Sequence, residues 1–500
     1  MDRHYVFLLV YLVGACASDP QCPPCNGQGD PRGNETTDAE KQALDETDAA
    51  WQPKAARDVP LKVTSFPLHG RAGFPRVSIF EAPDMMSPRL GYLRLGTRRM
   101  VGDTEYATEK CPGGWFQLQE GGYVCQGRGL LVGTKPRFIK TVPPNPRRHA
   151  LDPYRHGFVR RDWTPSYKRL PKAEEIWHPP QPEVDTEGMA DGGAPEEETI
   201  PHSAEELDGG VDYYKYTKKN FRAVKSLLSK GFWVSLGERV KDEETNAIYY
   251  KTVDGDFVPG DSVHPVTPPD CHGYRVLGTN PLPAVIVSSR RASFYERRRG
   301  RLRASGPAER LSSFRVLETK QIRGEDYFRV DDKRWLRQKN VEFFRLRPPP
   351  AGVGFHEKWI RVDLTRQTLE AYQGPAPVFV TMVSTGLPDS EETITPTGSF
   401  RIRFKHFTDD MTGTVGDDEA YSVEDVPWVQ YIHQNIAFHA AFWHSSFGRP
   451  KSHGCINLSP ADARWLFAWT EPALPEGWHG VAASAQKPGT TVIVEGKTPE

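Results

Sequence analysis

Apolar and polar residues alternate in short runs along much of the chain, a pattern typical of β-strands bounded by turns. In residues 399–405, three apolar residues alternate with Arg401, Arg403 and Lys405. This alternation predicts a strand with an apolar face toward a core and a basic face toward solvent. Residues 378–383 form an almost continuous apolar run, as in a buried strand. The sequence therefore predicts a mainly β protein.

One helix is predicted near the C-terminal end. Ser459 can serve as the N-cap, Pro460 suits the first turn, and Asp462 places an acid at the third position. A last strand is expected at residues 491–494. Together with the strands before it, the helix completes a mostly β domain over residues 355–496.

The chain is too long for a single hydrophobic core, because 500 residues exceed the usual size of a domain. Its 44 Gly and 44 Pro favour short strands, turns and linkers. The expected organisation is an export signal at 1–15, a flexible tether at 16–56, a β module at 57–145, an acidic linker at 146–210, β modules at 211–270 and 271–350, and a C-terminal domain at 355–496.

The acidic linker and the β modules are interpreted from composition and pattern. Residues 171–210 carry twelve Asp and Glu against one Lys, which predicts a self-repelling, disordered spacer. The three modules resemble small bacterial SH3-type barrels. That resemblance implies barrels that bind wall peptides.

The N-terminus has the features of an export signal. Arg3 precedes an apolar run at 5–13, which is too short to span a bilayer, and small residues follow it. Val13-Gly-Ala-Cys16 resembles a bacterial lipobox, which implies that Cys16 is lipidated. The protein would then be anchored to a membrane of the cell envelope, on the periplasmic face, with the outer membrane expected. An ordinary signal peptide is the alternative.

The other cysteines differ in their settings. Cys111 and Cys125 lie in one small β region, and export favours a disulfide between them. Cys22 and Cys25 form a C-x-x-C without the strand and helix that a redox motif needs. Cys271 has no evident partner.

The net charge of the chain and one Arg-rich segment bear on its possible partners. The formal net charge of −1 gives no electrostatic reason to expect nucleic acid as a partner. The Arg-rich run at 290–303 could contact an anionic wall polymer or lipid, or form a solvated loop.

Cys455 is the candidate nucleophile. A thiol needs a nearby base to attack at neutral pH, and His439 lies sixteen residues before it. If both end adjacent strands, the loop at 441–451 brings them together. Gly454 lets a substrate carbonyl approach the backbone, where N–H groups could form an oxyanion hole. Ser452 and Asn457 could fix this loop by hydrogen bonds.

The segment from Ser452 to Asn457, Ser-His-Gly-Cys-Ile-Asn, preceded by His439, resembles the signature of the YkuD-type L,D-transpeptidase catalytic domain. Residues 383–386, 395–400 and 426–431 also resemble segments of that family. The resemblance covers about 357–496 and implies a β-sandwich-like fold.

The resemblance also implies roles. Cys455 would be the nucleophile and His439 the general base, oriented by the main-chain carbonyl of Ala440. The family usually has Gly or Ser at that position, but a backbone carbonyl survives the change. His453 would help shape the oxyanion pocket or bind substrate. The expected substrate-binding residues are Ser452, Asn457, Tyr431 and Trp428.

The implied reaction is attack on a peptidoglycan tetrapeptide stem, with transfer of the thioester to an amine of another stem or of a protein. Water as acceptor would give a carboxypeptidase or amidase, and a non-catalytic wall-binding scaffold is a further alternative. No cofactor or metal is expected. A zinc site made from the nearby histidines and Cys455 is disfavoured because their spacings match no close ligand pair on a helix. A buried structural cysteine is disfavoured because its loop is polar.

Overall fold

β-Strands make up most of the structure, a computed structural model that describes residues 64–103, 106–139, 142–178, 222–350, 353–390, 392–413 and 421–499. The mainly β class predicted from the sequence is confirmed. The export signal, the whole tether with Cys16 and the C-x-x-C, and residues 179–221 lie outside the described residues.

The first β module packs around an apolar core that also includes Trp478 and Val481 of the C-terminal domain, and it contains the expected disulfide. Its strands are β1 (Leu68–Ala72), β2 (Arg76–Phe80), β3 (Arg89–Arg94), β4 (Arg98–Val101), β5 (Tyr106–Thr108), β6 (Cys111–Gln117), β7 (Tyr123–Cys125) and β8 (Leu130–Gly133). β1 pairs with β4 and β8, β2 pairs with β3, and β6 pairs with β5 and β7. Cys111 and Cys125 are bonded, with 5.9 Å between their Cα atoms.

The prediction of a linker at 146–210 is wrong for residues 146–178, which contain two strands of a second β region. The strands of this region are β9 (Arg155–Val159), β10 (Thr164–Tyr167), β11 (Val224–Leu228), β12 (Trp233–Lys241), β13 (Ile248–Thr252), β14 (Phe257–Pro259) and β15 (Val263–Pro265). β9 pairs with β12 and β15, and β10 pairs with β11 and β14. Val159, Tyr167 and Trp177 are buried, so burial of scattered apolar residues outweighs the polar composition around them.

The third region has two small sheets around a common core. Its strands are β16 (Tyr274–Arg275), β17 (Ala284–Val287), β18 (Ser293–Arg298), β19 (Arg301–Pro307), β20 (Ser313–Arg315), β21 (Glu318–Ile322), β22 (Glu325–Arg329), β23 (Arg334–Arg337) and β24 (Val341–Phe344). The sheet orders are β20-β17-β24 and β19-β18-β23-β22-β21. The Arg-rich run forms the β18–β19 hairpin, with Arg297, Arg298 and Arg301 exposed. The likeness of these modules to SH3-type barrels stays a prediction.

The C-terminal domain is a β-sandwich with one helix. Its elements are β25 (Lys358–Asp363), β26 (Thr368–Gln373), β27 (Ala376–Met382), β28 (Gly398–Arg401), β29 (Phe404–Thr412), β30 (Ser422–His433), β31 (Ile436–Ala440), β32 (Ile456–Leu458), α1 (Pro460–Trp469), β33 (Gly480–Ala482) and β34 (Thr491–Glu495). One sheet has the order β16-β27-β26-β25-β34-β28, and the other runs β33-β29-β30-β31-β32. Ile360, Phe379, Phe438 and Leu466 belong to the core of this domain.

Helix α1 begins as the sequence predicts. Ser459 is the N-cap, and its hydroxyl accepts a hydrogen bond from the backbone N–H of Asp462 at 3.2 Å. The Asp462 carboxylate in turn accepts hydrogen bonds from the Thr381 hydroxyl at 2.5 Å and the Gly273 N–H at 2.8 Å. The start of the helix is therefore tied to β27 and to the segment before β16.

The outward orientation expected for Lys405 is wrong, because the chain changes sheets within the predicted strand. The N–H of Ile402 bonds to Thr490 beside β34, whereas the N–H of Arg403 bonds to Tyr431 in β30. This crossing inverts the alternation, so Phe404 is 39% exposed and Lys405 is fully buried.

The Lys405 ammonium group lies at the C-terminal end of α1 and donates hydrogen bonds there. Nζ donates to the carbonyls of Phe467 and Thr470 at 2.6 and 2.9 Å, and to the Thr470 hydroxyl at 3.1 Å. Three acceptors match the three donors of the ammonium group, and a cation is favourable at a helix C-terminus. Burial lowers the pKa of Lys405 to about 7, and the nearby charge of Glu471 opposes that shift.

The upstream regions are joined to the C-terminal domain by strand pairing. Gly91 of β3 pairs with Val481 of β33, Trp233 of β12 pairs with Val423 of β30, and β16 pairs with β27. Residues 53–500 accordingly form one compact unit. No helix among the described residues is long and apolar enough to cross a membrane.

We expect Lys405→Met to lower the free energy of unfolding by about 3 kcal/mol, because it leaves buried carbonyl and hydroxyl acceptors without a donor. Arg403→Met, at an exposed position two residues away, should change it by less than about 0.5 kcal/mol. Urea unfolding followed by circular dichroism measures both. Equal effects of the two substitutions would contradict the role assigned to Lys405.

Candidate active site

Two neighbouring parallel strands carry the candidate catalytic residues. β31 and β32 pair with His439 opposite Asn457 and Phe438 opposite Ile456. Side chains alternate between the two faces of a sheet, and Phe438 and Ile456 both enter the sandwich core. His439, Asn457 and Cys455 therefore lie on the opposite face, with Cys455 immediately before β32. The two strands are adjacent, as expected, but Cys455 precedes the start of β32 and does not end a strand.

His439 has a defined tautomer. Its side chain is 2% exposed, and Nδ1 lies 3.2 Å from the main-chain carbonyl oxygen of Ala440. A carbonyl only accepts, so Nδ1 carries the proton of the neutral ring and Nε2 has a free lone pair. Nε2 can therefore take a proton from a neighbouring group, and the Ala440 carbonyl has the orienting position expected from the sequence.

The Cys455 thiol lies in a mainly apolar environment. It is partly exposed and packs against a cluster that includes Val423, Ala437 and Phe442. Its Sγ donates to the Asn435 carbonyl at 3.5 Å. The thiol is thus accessible but poorly solvated.

Burial keeps both reacting groups neutral in the free protein. It raises the pKa of the Cys455 thiol to about 11 and lowers the pKa of His439 to about 4. At neutral pH the resting pair is therefore a thiol and an imidazole, not a thiolate and an imidazolium. A thiolate at Cys455 would therefore have to form by transfer of the thiol proton to a base.

Gly454 occupies a backbone conformation that disfavours other residues. Its φ is +107°, and an added Cβ would lie 2.5 Å from Cδ1 of Ile436. The Thr395 hydroxyl donates to the Gly454 carbonyl at 2.8 Å and accepts from the Gly386 N–H at 2.8 Å. These bonds fix the plane of the peptide that joins Gly454 to Cys455, and hence the direction of the Cys455 N–H.

Comparison with known proteins identifies the C-terminal part of the chain. Residues 357–494 match the YkuD family, described as the L,D-transpeptidase catalytic domain. The C-terminal domain is a YkuD domain.

Individual relatives resemble the YkuD domain at low identity. A Bacillus subtilis (strain 168) protein, YciB, provisionally named an L,D-transpeptidase, is 26% identical over 120 residues, which are 22% of this chain and 59% of that protein. The chain thus spans under two thirds of this curated relative.

Two solved structures are also similar. A crystal structure of an Enterococcus faecium L,D-transpeptidase is 25% identical, with 28% of this chain and 50% of that chain covered and a TM-score of 0.22. An L,D-transpeptidase from Mycobacterium smegmatis is 21% identical, with 36% and 81% covered and a TM-score of 0.23.

Within the YkuD domain, His444 holds Asn457. The Ser446 N–H donates to His444 Nδ1 at 3.1 Å, and the Asn457 amide lies 3.0 Å from His444 Nε2. Burial lowers the pKa of His444 to about 4, so its ring is neutral and has one acceptor nitrogen. Nδ1 accepts from the Ser446 N–H, and the atom of Asn457 that faces Nε2 is the amide nitrogen Nδ2, 3.0 Å away. Sequence reasoning missed His444, which lies in the predicted loop.

Three of the predicted residues lie in different environments near Cys455 in the chain or in its cluster. The Ser452 hydroxyl donates to the Cys455 carbonyl at 2.5 Å, which fixes the loop. Tyr431 shares the apolar cluster of Cys455, and its hydroxyl donates to Asp409 at 3.0 Å. His453 is exposed and stacks on Tyr421 with 5.0 Å between ring centroids. Contact of Ser452, Tyr431, His453 or Asn457 with substrate stays a prediction.

Trp428 does not face the site, and the substrate-binding role expected for it is corrected. Its side chain is 4% exposed and packs edge-on against Phe407 at 4.8 Å. Its indole N–H donates to the Leu151 carbonyl at 2.8 Å. Both the ring and its polar atom are therefore used in holding the core and the segment before β9.

Trp443 is a site residue that sequence reasoning missed. Its ring stacks on His439 with 5.7 Å between centroids and an interplanar angle of 26°. The only signal was its place in the loop predicted to fold back between base and nucleophile.

Among the described residues, no group of three or more His, Cys, Asp and Glu could hold a metal ion.

We expect alkylation of Cys455 by iodoacetamide to rise throughout pH 7 to 10 without a plateau. With a thiol pKa of about 11, roughly 10⁻⁴ of the molecules carry a thiolate at pH 7. Peptide mass spectrometry can follow Cys455 separately from Cys271, whose pKa burial raises to about 12. A rate plateau beginning below pH 7 would indicate a resting thiolate–imidazolium pair and contradict the neutral assignment.

Proposed function

We propose that the YkuD domain is a peptidoglycan L,D-transpeptidase that uses Cys455 as nucleophile and His439 as base. The main support is the 3.2 Å contact between Nδ1 of His439 and the Ala440 carbonyl, on the face that also carries Cys455. This contact leaves Nε2 as a proton acceptor, and Cys455, which lies on the same face of the sheet, is partly exposed. A base with a fixed tautomer next to a thiol is the arrangement required for acyl transfer.

In the first half-reaction, Sγ of Cys455 attacks the carbonyl of the third residue of a tetrapeptide stem, and the thiol proton moves to Nε2 of His439. The bond to the terminal D-alanine then breaks, and the leaving amine takes that proton. A thioester to Cys455 remains. The Cys455 and Gly454 N–H groups are candidates to stabilise the oxyanion of the tetrahedral intermediate.

In the second half-reaction, an amine attacks the thioester and gives its proton to Nε2, and the departing sulfur takes the proton back. The new amide is a 3–3 cross-link or an attachment to a protein. Water in place of the amine would give a carboxypeptidase or amidase. A non-catalytic scaffold is the weaker alternative, since it would need neither the fixed His439 tautomer nor an accessible thiol.

We further propose that the protein works in the cell envelope, anchored through lipid on Cys16. The lipobox-like sequence supports this, and so does the Cys111–Cys125 disulfide, since disulfides persist in oxidising compartments. The upstream β regions would then hold the YkuD domain near its wall substrate.

Cys455→Ala should abolish release of D-alanine from purified tetrapeptide muropeptides and leave the thermal unfolding temperature unchanged. The reason is that the thiol takes part in the reaction and contributes little to packing. Cys271→Ala is the matched control and should retain wild-type turnover. Mass spectrometry of the protein after treatment with a carbapenem should show one adduct, on Cys455. Turnover near the wild-type level in Cys455→Ala would refute the proposal, and absence of any adduct would favour the scaffold.

Cys16→Ala should move the full-length protein from the membrane fraction to the soluble fraction without changing turnover of soluble muropeptides. Cys22→Ala, six residues further along the chain, is the control and should stay with the membranes. Fractionation with immunoblotting, and mass spectrometry for a lipid on Cys16, test this. An unlipidated wild-type protein would contradict the anchor.

A further inference from the structure

We infer that Trp233, which lies outside the YkuD domain, is a substrate-binding residue of the Cys455 site and helps to select the substrate. This inference rests on the proposed function and extends it, because it makes the second β region part of the site. The ligand would be the uncharged, C–H-rich part of a stem peptide next to the attacked amide.

Strand pairing places Trp233 at the edge of the YkuD domain. Trp233 begins β12 and pairs with Val423 of β30 on one side and with Phe158 of β9 on the other. β30 leads directly into β31, the strand of His439. The second β region therefore continues the sheet that carries the catalytic base.

A series of aromatic rings then connects Trp233 to His439. Its indole contacts Phe442 with 5.6 Å between centroids at 77° and lies 6.5 Å from Trp443 at 42°. Trp443 in turn stacks on His439 at 5.7 Å. These separations are those of interacting aromatic pairs, so Trp233 is one contact removed from the ring that stacks on the base.

The same tryptophan shares an apolar cluster with the nucleophile. Trp233 and Val266, both from the second β region, pack with Met411, Tyr421 and Cys455 around the buried residues of β30 and β31. All five are only partly buried. The thiol thus lies in an apolar, aromatic surface that residues outside the YkuD domain help to build, and such surfaces bind C–H-rich groups.

Further contacts fix the position of this aromatic surface, the wall formed by Trp233, Phe442 and Trp443. The ring of His156 in β9 stacks on Phe442 at 3.7 Å, and its Nε2 lies 3.1 Å from the Glu424 carbonyl. The Ser235 N–H donates to the Glu424 carboxylate at 2.8 Å. Trp233 therefore lies on a strand that is held on both sides, by β9 and by β30. A rigid wall of this kind loses little conformational entropy when it binds a ligand.

The test compares Trp233→Ala with two controls in the full chain. Trp233→Phe keeps an aromatic wall. Phe232→Ala removes a ring from the adjacent residue, which packs into the separate core of the second β region. For each variant, KM and kcat on a tetrapeptide muropeptide are measured together with the rate of Cys455 alkylation by iodoacetamide, a probe too small to need the wall.

We expect Trp233→Ala to raise KM about tenfold, the loss of roughly 1.4 kcal/mol of binding. Cys455 alkylation should stay within twofold of wild type, Trp233→Phe should restore most of the affinity, and Phe232→Ala should leave KM unchanged. An unchanged KM in a folded Trp233→Ala protein would overturn the inference, as would an equal rise in KM in Phe232→Ala.

Failure of the proposed function gives a different result. If the wild-type protein releases no D-alanine, muropeptide binding to the Cys455→Ala protein is measured by calorimetry, with and without Trp233→Ala. A loss of affinity of about tenfold would still support Trp233 as a binding residue. Equal affinities, or no binding in either protein, would overturn it.

Discussion

The candidate site depends on the parallel pairing of β31 with β32. Consecutive strands can lie parallel only if a crossover connects them, and here residues 441–455 make that connection without a helix. Backbone bonds hold its end in place, because Ser384 exchanges two hydrogen bonds with Asn457 and the Thr385 carbonyl accepts from the N–H groups of Lys451 and Ser452. The sandwich thereby fixes a long loop at its end, where Cys455 joins the face of the sheet that carries His439.

The features that sequence reasoning predicted are those that depend on residues close together in the chain. The backbone carbonyl that orients His439 belongs to the next residue. The N-cap of α1 is equally local. The fold class followed from alternation because most strands are short hairpin partners.

The features that were missed depend on contacts between distant segments. Lys405 is buried because the chain changes sheets at Ile402 and Arg403, and an alternating pattern does not record which sheet a residue joins. Trp428 is held by Leu151, 277 residues away, so its burial depends on the strands after the first β module. The segment expected to be a linker becomes part of a sheet because its few apolar residues find partners in β11 and β12.

An ion pair reinforces the connection between the first β module and the YkuD domain. Arg94 of β3 lies 2.9 Å from the carboxylate of Asp425 in β30 and 2.8 Å from the hydroxyl of Tyr154. The side chains of Arg94 and Asp425 are 16% and 9% exposed, so this pair is weakly screened, and removing either partner would leave a buried charge. The first β module, the segment before β9 and the YkuD domain are thus held in one arrangement. The chemistry of the site is therefore encoded in a short motif, whereas its shape is encoded in three separate parts of the chain.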